Sequence, residues 1–358
     1  MSANMTQVLS LLEISQLESQ QRLPTVVYLC VLIILGVLGN SVVIFVYIFR
    51  YSRSDLRLYI LCLAVLDMLA CCVSMPAELV DNYWPYMFYS DAFCKIQRFI
   101  GNVAKIGSAF VITLMAIERH RRVCGPGFSG APPKLSHLYC GCAIGLTLLI
   151  SWPKAVISGT IMEHFPGNIT GHDCSVADAV RNTKIPFIYT IIQLVIFLVS
   201  FVLLIILYSL IVRSLYRHST QPAHTGSDRG LRLLRRSRKV TKIMMAISAA
   251  FLISYLPHFV ITTLSTMKQT KNLLAPSQLV LGVLPLLYRS YFINNVVNPI
   301  IYIVGDGQFR SICYEKFCCL LPQSLRKSGK CNTLRKNHDN MAKDAMLTAK
   351  GVNETIRI

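Results

Sequence analysis

Charge is what this sequence has least of. Only 15% of its 358 residues are Asp, Glu, Lys or Arg, where a soluble domain carries about 25%. So few charges cannot cover a globular surface against water, which excludes a soluble fold. Acid is scarcer still, with 17 Asp and Glu against 36 Lys and Arg and a net charge of +19. Such a surplus would suit nucleic acid if it lay on one face. Here the basic residues gather in segments between apolar runs, so nucleic acid is not an expected partner. Catalytic patterns are missing too. No glycine-rich loop follows a strand, and no Ser/His/Asp or metal-ligand spacing sits where catalysis would need it, so enzyme readings have no support. The opening residues lack a basic start, and their apolar run comes too late and is too long for a signal peptide.

What the sequence has is apolar length. It is 53% hydrophobic, with mean hydropathy +0.50. Apolar runs occupy about 24–49, 58–80, 93–118, 136–160, 185–212, 240–266 and 278–304. Each can form a spanning helix, which needs about 20 residues. The expectation is an all-α membrane protein, a seven-transmembrane helix bundle over 24–304. Pro76, Pro153, Pro257, Pro285 and Pro299 fall inside these runs, which membrane helices tolerate because neighbours satisfy the freed carbonyls. Lys and Arg concentrate in the first, third and fifth connections and in the tail, while the alternate connections carry Asp81, Asp91, Glu163, Asp173 and Asp178. By the positive-inside rule the basic connections are cytoplasmic and the N-terminus is outside.

The remaining segments follow from this topology. Residues 1–23 form an extracellular N-terminus with a glycosylation sequon at Asn4, and a second sequon at Asn168 lies in the second outer loop. Of 13 cysteines, only Cys94 and Cys174 fall at extracellular positions. Alone in an oxidising space they are candidates for a bridge between that loop and the top of span three; two free thiols are the alternative. Residues 305–319 read as an amphipathic helix in the inner interface, with Phe309, Ile312 and Cys313 on one face. Cys318 and Cys319 behind it are candidate palmitoyl acceptors, or else plain thiols. The polar stretch 320–358 is expected to be a disordered cytoplasmic tail.

Ionisable groups inside a bilayer are costly and functional by default. The inventory is Asp67, Lys105, Lys154 and Arg289, with Glu78, Arg98 and Arg119 nearer the ends. Cys94 and Arg119 are 25 positions apart, roughly 37 Å along a helix, which places them at opposite interfaces of a hydrocarbon core of about 30 Å.

Over about residues 24–320 the sequence resembles a rhodopsin-like (class A) G-protein-coupled receptor of the peptide or orphan type. The resemblance rests on Gly39-Asn40, Leu63-Ala64-Val65-Leu66-Asp67, Cys94 with Cys174, Glu118-Arg119-His120 and Trp152. Further on it rests on Tyr208, Phe251 with Tyr255 and Pro257, and Asn298-Pro299-Ile300-Ile301-Tyr302. It implies a cell-surface receptor that senses an extracellular ligand, most readily a neuropeptide or peptide hormone, and activates heterotrimeric G proteins, with arrestin and receptor kinases as further partners. It also implies that Glu118 holds Arg119 in an ionic latch, and that Pro257, Asn298, Pro299 and Tyr302 allow movement. No cofactor is implied beyond an allosteric sodium ion among Asp67, Ser108, Asn294 and Asn298, with Asn40 beside them; a protonated Asp67 in a polar network is the alternative.

Two departures bear on activation: Tyr255 stands where the family has tryptophan, and Ser200 where span five usually has proline. Two others bear on the ligand. Gly101 replaces the amine-binding aspartate, and Phe292 replaces the retinal-binding lysine. Pocket positions implied by the resemblance are Gln97, Arg98, Gly101, Asn102, Lys105, Gln193, His258, Thr262 and Tyr288. Lys105 could attract an acidic ligand group, or pair internally with Tyr255 or Glu78. A receptor for a small acidic or lipid ligand, or a constitutively active or arrestin-biased orphan receptor, are the alternatives.

Overall fold

The computed structural model describes residues 10–50, 55–125, 133–220, 228–266 and 278–320. Asn4 and the tail after residue 320 lie outside the described residues, as do the side chains of Cys318 and Cys319.

Span one is helix α1, Leu11–Phe49. It starts well before the apolar run at residue 24, because Ser10 and Glu13 close a capping box. Ser10 Oγ accepts from the Glu13 amide, and Glu13 Oε2 accepts from the Ser10 amide at 2.7 Å. This answers two of the amides a helix start leaves unpaired. Residues expected to form the extracellular N-terminus are therefore helical from Leu11 on. Span two is α2 (Asp55–Leu69), a π-helical turn at Ala70–Ser74 and α3 (Met75–Tyr83). Span three is α4, Asp91–Cys124, capped by Ser90.

Span four ends earlier than its hydropathy suggested. Helix α5 (Pro133–Ser151) and the short α6 (Pro153–Ile157) end at Ser158, where the chain turns into sheet. The second outer loop is an antiparallel hairpin of β1 (Ser158–Phe165) and β2 (Ile169–Val176), an addition to the all-α expectation. Its tip uses Gly167 at φ 86° and Asn168 at φ 59°, left-handed conformations that glycine and asparagine tolerate best. A single turn α7 (Asp178–Arg181) leads to span five, α8, Ile185–Thr220. Span six is α9, Asp228–Thr266, with Pro257 inside it.

Six helices are individually long and apolar enough to cross a bilayer among the described residues. The seventh span is divided into α10 (Gln278–Tyr288), a 3-10 turn at Ser290–Ile293, and α11 (Asn294–Gly305). Pro285 and Pro299 each remove a backbone donor from it. Asp306 then ends α11 in extended backbone and accepts the Gln308 amide at 2.9 Å, starting the interfacial helix α12, Gly307–Leu320. Phe309 and Ile312 anchor α12, and Phe309 stacks on Tyr47 of span one.

Large apolar side chains cover the outside of the bundle, as lipid requires; Leu38, Val199 and Ile253 are examples. Inside, close approach depends on small residues. A side chain on Gly39 would meet the Pro299 ring at 2.9 Å, and one on Gly101 would meet Ser74 Oγ at 2.8 Å.

The hairpin is fixed over the outer end of the bundle. Cys94 and Cys174 form a buried disulfide, with their Cα atoms 5.6 Å apart. Asp91 Oδ1 accepts the Thr160 amide at 2.9 Å. The first outer loop pairs with β2: the Phe88 amide donates to the His172 carbonyl, and the His172 amide to that of Tyr86. Burial among these segments holds the Asp173 carboxyl above the usual range, against the pull of Arg98 and Arg22.

Removing a native disulfide typically costs about 2–5 kcal/mol. Cys94→Ala and Cys174→Ala should each lower surface expression and the thermal midpoint, with the double variant no worse than either single one. Fully additive losses would show that the two cysteines act separately.

Candidate functional site

Three polar layers occur between the outer and inner faces. The outermost is a cavity of about 240 Å³ enclosed by spans two to seven under the hairpin. All nine pocket positions implied by the resemblance line it: Gln97, Arg98, Gly101, Asn102, Lys105, Gln193, His258, Thr262 and Tyr288. The structure adds Glu78, Lys154, Tyr189 and Tyr291. Lys154 was legible only as a costly charge, Glu78 as that and as a candidate partner of Lys105, and the two tyrosines carried no sequence signal.

Electrostatically the cavity is organised by Glu78, a buried carboxylate on α3. Its Oε1 pairs with Arg98 of span three, and its Oε2 takes Arg289 of span seven at 2.7–2.8 Å. Arg98 also donates to the Cys174 carbonyl at 2.8 Å, tying the clamp to the hairpin. The internal pair suggested between Lys105 and Glu78 is therefore taken up by two arginines instead. Lys105 Nζ lies 3.0 Å from His258 Nε2 and 4.4 Å from the centre of the Tyr291 ring. The hydroxyl that Tyr255 brings in place of an indole donates to the Lys105 carbonyl at 3.4 Å. Opposite, Gln193 donates to Asn102 Oδ1 at 2.5 Å, and Asn102 donates to the Tyr189 hydroxyl at 2.8 Å.

The middle layer surrounds Asp67, which is fully buried. Asn298 donates to its Oδ2 at 2.8 Å. Asn40 donates to the carbonyls of Gly36 and Asn295 at 2.9 and 2.8 Å. Asp67 Oδ1, Ser108 Oγ, Asn298 Oδ1 and both amide atoms of Asn294 are buried without a protein partner. One carboxylate with orphaned hydroxyl and amide oxygens suits a hard monovalent cation. Among the described residues no cluster of three or more His, Cys, Asp or Glu would suit a transition metal. The residues fit sodium.

Between these layers an aromatic column descends span six. Phe251 and Tyr255 have ring centres 4.5 Å apart, and Phe197 of span five packs against both. Pro257 lies just above, and the Ser290 hydroxyl donates to the Ser254 carbonyl at 2.7 Å, bracing that turn against span seven.

The inner layer is the end of α4. Glu118 carries the guanidinium of Arg122 at 2.8 Å. Arg119 crosses to span six, donating to Thr241 Oγ1 at 3.1 Å, to Ser237 Oγ at 2.8 Å and to the Ser237 carbonyl. Sequence reasoning made Glu118 the holder of Arg119; in the structure span six holds it directly. Tyr208 meets Ser248 at 3.0 Å, and Tyr302 packs between Tyr47 and Phe309. Serine and threonine carry no mark that would have pointed to Ser237 and Thr241.

Comparison with known proteins accords with this geometry. Residues 39–302 match the family described as 7 transmembrane receptor (rhodopsin family). The C3a anaphylatoxin chemotactic receptor of Danio rerio is 27% identical over 300 residues, covering 82% of this chain and 75% of that protein. Neuropeptide FF receptor 2 of Rattus norvegicus is also 27% identical, covering 79% and 70%. The C5a anaphylatoxin chemotactic receptor 1 of Homo sapiens is 28% identical, covering 84% and 81%. A family match across most of the chain, on a bundle with these three polar layers, identifies the chain as a member of the rhodopsin family of seven-transmembrane receptors, a multi-pass plasma-membrane protein that senses an extracellular ligand and couples to G proteins.

Proposed function

We propose that the ligand is an extracellular peptide, and that its binding drives nucleotide exchange on a heterotrimeric G protein by releasing span six from span three. The observation that carries this reading is the contact of Arg119 with Ser237 and Thr241. It closes the cytoplasmic end of α4, the same helix whose outer half lines the cavity. Span six faces that cavity through His258 and Thr262 and bears the inner contact through Thr241. A ligand that favours a different position of span six about Pro257 therefore also changes the grip on Arg119. Such a ligand shifts the equilibrium only by its differential affinity for the two positions.

The hairpin over the cavity and relatives named for an anaphylatoxin and a neuropeptide support a peptide. A cavity of about 240 Å³ admits a peptide's end rather than its whole length. The same size and its cations favour a second reading, a small acidic ligand. Arrestin and receptor kinases would meet the inner face that span six uncovers. Asn168, exposed at the hairpin tip, would carry glycan, and Cys318 and Cys319 would carry acyl chains. Asp67, Ser108, Asn294 and Asn298 would hold sodium, which when bound supplies Asp67 with a countercharge.

Each hydrogen bond to Arg119 is worth roughly 1 kcal/mol, more when charged. Ser237→Ala combined with Thr241→Val should therefore raise basal guanine-nucleotide exchange about fivefold or more, while Arg119→Ala should abolish exchange with the protein still at the surface. Unchanged basal exchange in the double variant would count against span six as the holder. Replacing choline chloride by sodium chloride at equal ionic strength should raise the thermal midpoint of the ligand-free protein, and Asp67→Asn should remove that difference. A sodium effect that survives Asp67→Asn would place the ion elsewhere.

A further inference from the structure

The charges around the outer cavity do not balance. Glu78 is the one carboxylate among its described lining residues, and both of its oxygens are occupied, one by Arg98 and one by Arg289. Two guanidiniums share that one carboxylate; Asp81 and Asp173, the further acids that act on Arg98, lie outside the cavity lining. Lys105 and Lys154 line the same cavity, and neither makes an ion pair among the described residues.

The partners Lys105 does have are neutral. The Tyr288 carbonyl, 2.6 Å from His258 Nδ1, can only accept, so Nδ1 carries the imidazole proton. Nε2 then presents its lone pair to the Lys105 ammonium at 3.0 Å. His258 thus gives Lys105 a hydrogen bond and no countercharge, and the Tyr291 ring adds only a cation–π contact at 4.4 Å. Lys154 has no hydrogen-bond partner at all among the described residues. Asn102, Gln193 and Tyr189, which share the lining, are neutral and bonded to each other. Ionisable groups at this depth are kept only when paired or functional, and the protein leaves two lysine amines without a countercharge of their own around one space.

Size limits what can answer them. The cavity is about 240 Å³. That falls short of the roughly 300–1,000 Å³ of pockets that enclose a whole drug-sized ligand. Guanidiniums would be the natural partners of phosphate, but here both are committed to Glu78.

Building on the receptor function above, we propose that the cavity takes a carboxylate of the ligand between Lys105 and Lys154, so that the receptor selects acidic ligands over amidated or basic ones. The carboxylate is either the free acid of a peptide or that of a small organic acid. Both present the same chemistry to the two lysines.

The test uses the full chain in lipid nanodiscs with a purified G-protein heterotrimer. The probes are pooled short peptides ending in a free carboxyl group, the same pools amidated, small dicarboxylates such as succinate, and their neutral diamides. Acid probes should stimulate exchange, and conversion to the amide should lower potency at least tenfold. Lys105→Gln and Lys154→Gln should each lower acid potency at least tenfold. Stimulation by the peptide acids alone assigns a peptide terminus; stimulation by the dicarboxylates alone assigns a free metabolite. Amides as potent as acids, potency indifferent to both lysine variants, or silence of every acid probe overturns the proposal. A measurement without any probe is independent of ligand choice. Lys154→Met and Lys154→Gln should raise the thermal midpoint of the ligand-free protein, because an uncompensated charge is removed. A lowered midpoint in both means that the protein itself satisfies Lys154 and overturns the assignment. Exchange driven without probes, and its loss in Arg119→Ala, scores the receptor function separately from the acid site.

Discussion

Hydrocarbon offers nothing to hydrogen-bond, so every polar group this chain carries between the two interfaces has to be answered from inside the bundle. The fold follows that constraint closely. Asn40 spends its amide on two backbone carbonyls, one in its own helix and one in span seven. Thr113 and Thr147 return their hydroxyls to the carbonyl four residues back. Glu78 holds two arginines from two other spans. Among the described residues, answers are missing around Asp67, where the orphaned atoms fit a small ion, and also at Asp81 Oδ1, Ser136 Oγ, Ser151 Oγ and the Tyr302 hydroxyl, while Lys105 and Lys154 make no ion pair.

The same constraint explains how the ends of the molecule communicate. Helices cannot unravel in lipid without exposing backbone, so they move as rigid pieces about the few points where their hydrogen bonding is already interrupted. Pro257 in span six and the 3-10 turn with Pro299 in span seven are such points. Ser290 joins them through the Ser254 carbonyl. Cavity residues lie on one side of Pro257 and the partners of Arg119 on the other. The Phe197, Phe251 and Tyr255 cluster lies between.

Tyr255 shows what the departure from the family pattern changes. A phenol keeps a ring against Phe251 and adds a hydroxyl, which finds the Lys105 carbonyl. Spans three and six thus gain a polar tie one layer below the cavity. Ser200 in place of proline leaves α8 continuous from Ile185 to Thr220, and the serine is buried. Span five is therefore one uninterrupted helix beside span six.

The number of spans, their orientation, the two extracellular cysteines and the depth of each polar residue were legible before any fold was known. These depend on composition along the chain, which a bilayer sorts by position alone. All nine pocket positions met in one cavity because a helix converts residue number into depth and facing side. The chain-local signals also included one that hydropathy hid, the Ser10 and Glu13 pair that starts α1 thirteen residues before the apolar run. Pairings between distant residues were different in kind. That Glu78 would close on Arg98 and Arg289 rather than on Lys105, that Arg119 would rest on Ser237 and Thr241, and that the outer loop would be a hairpin were decided only by the tertiary structure. The physical reason is that a charge or hydroxyl accepts several partners at similar cost, and which of them comes within about 3 Å depends on how helices far apart in sequence pack side by side.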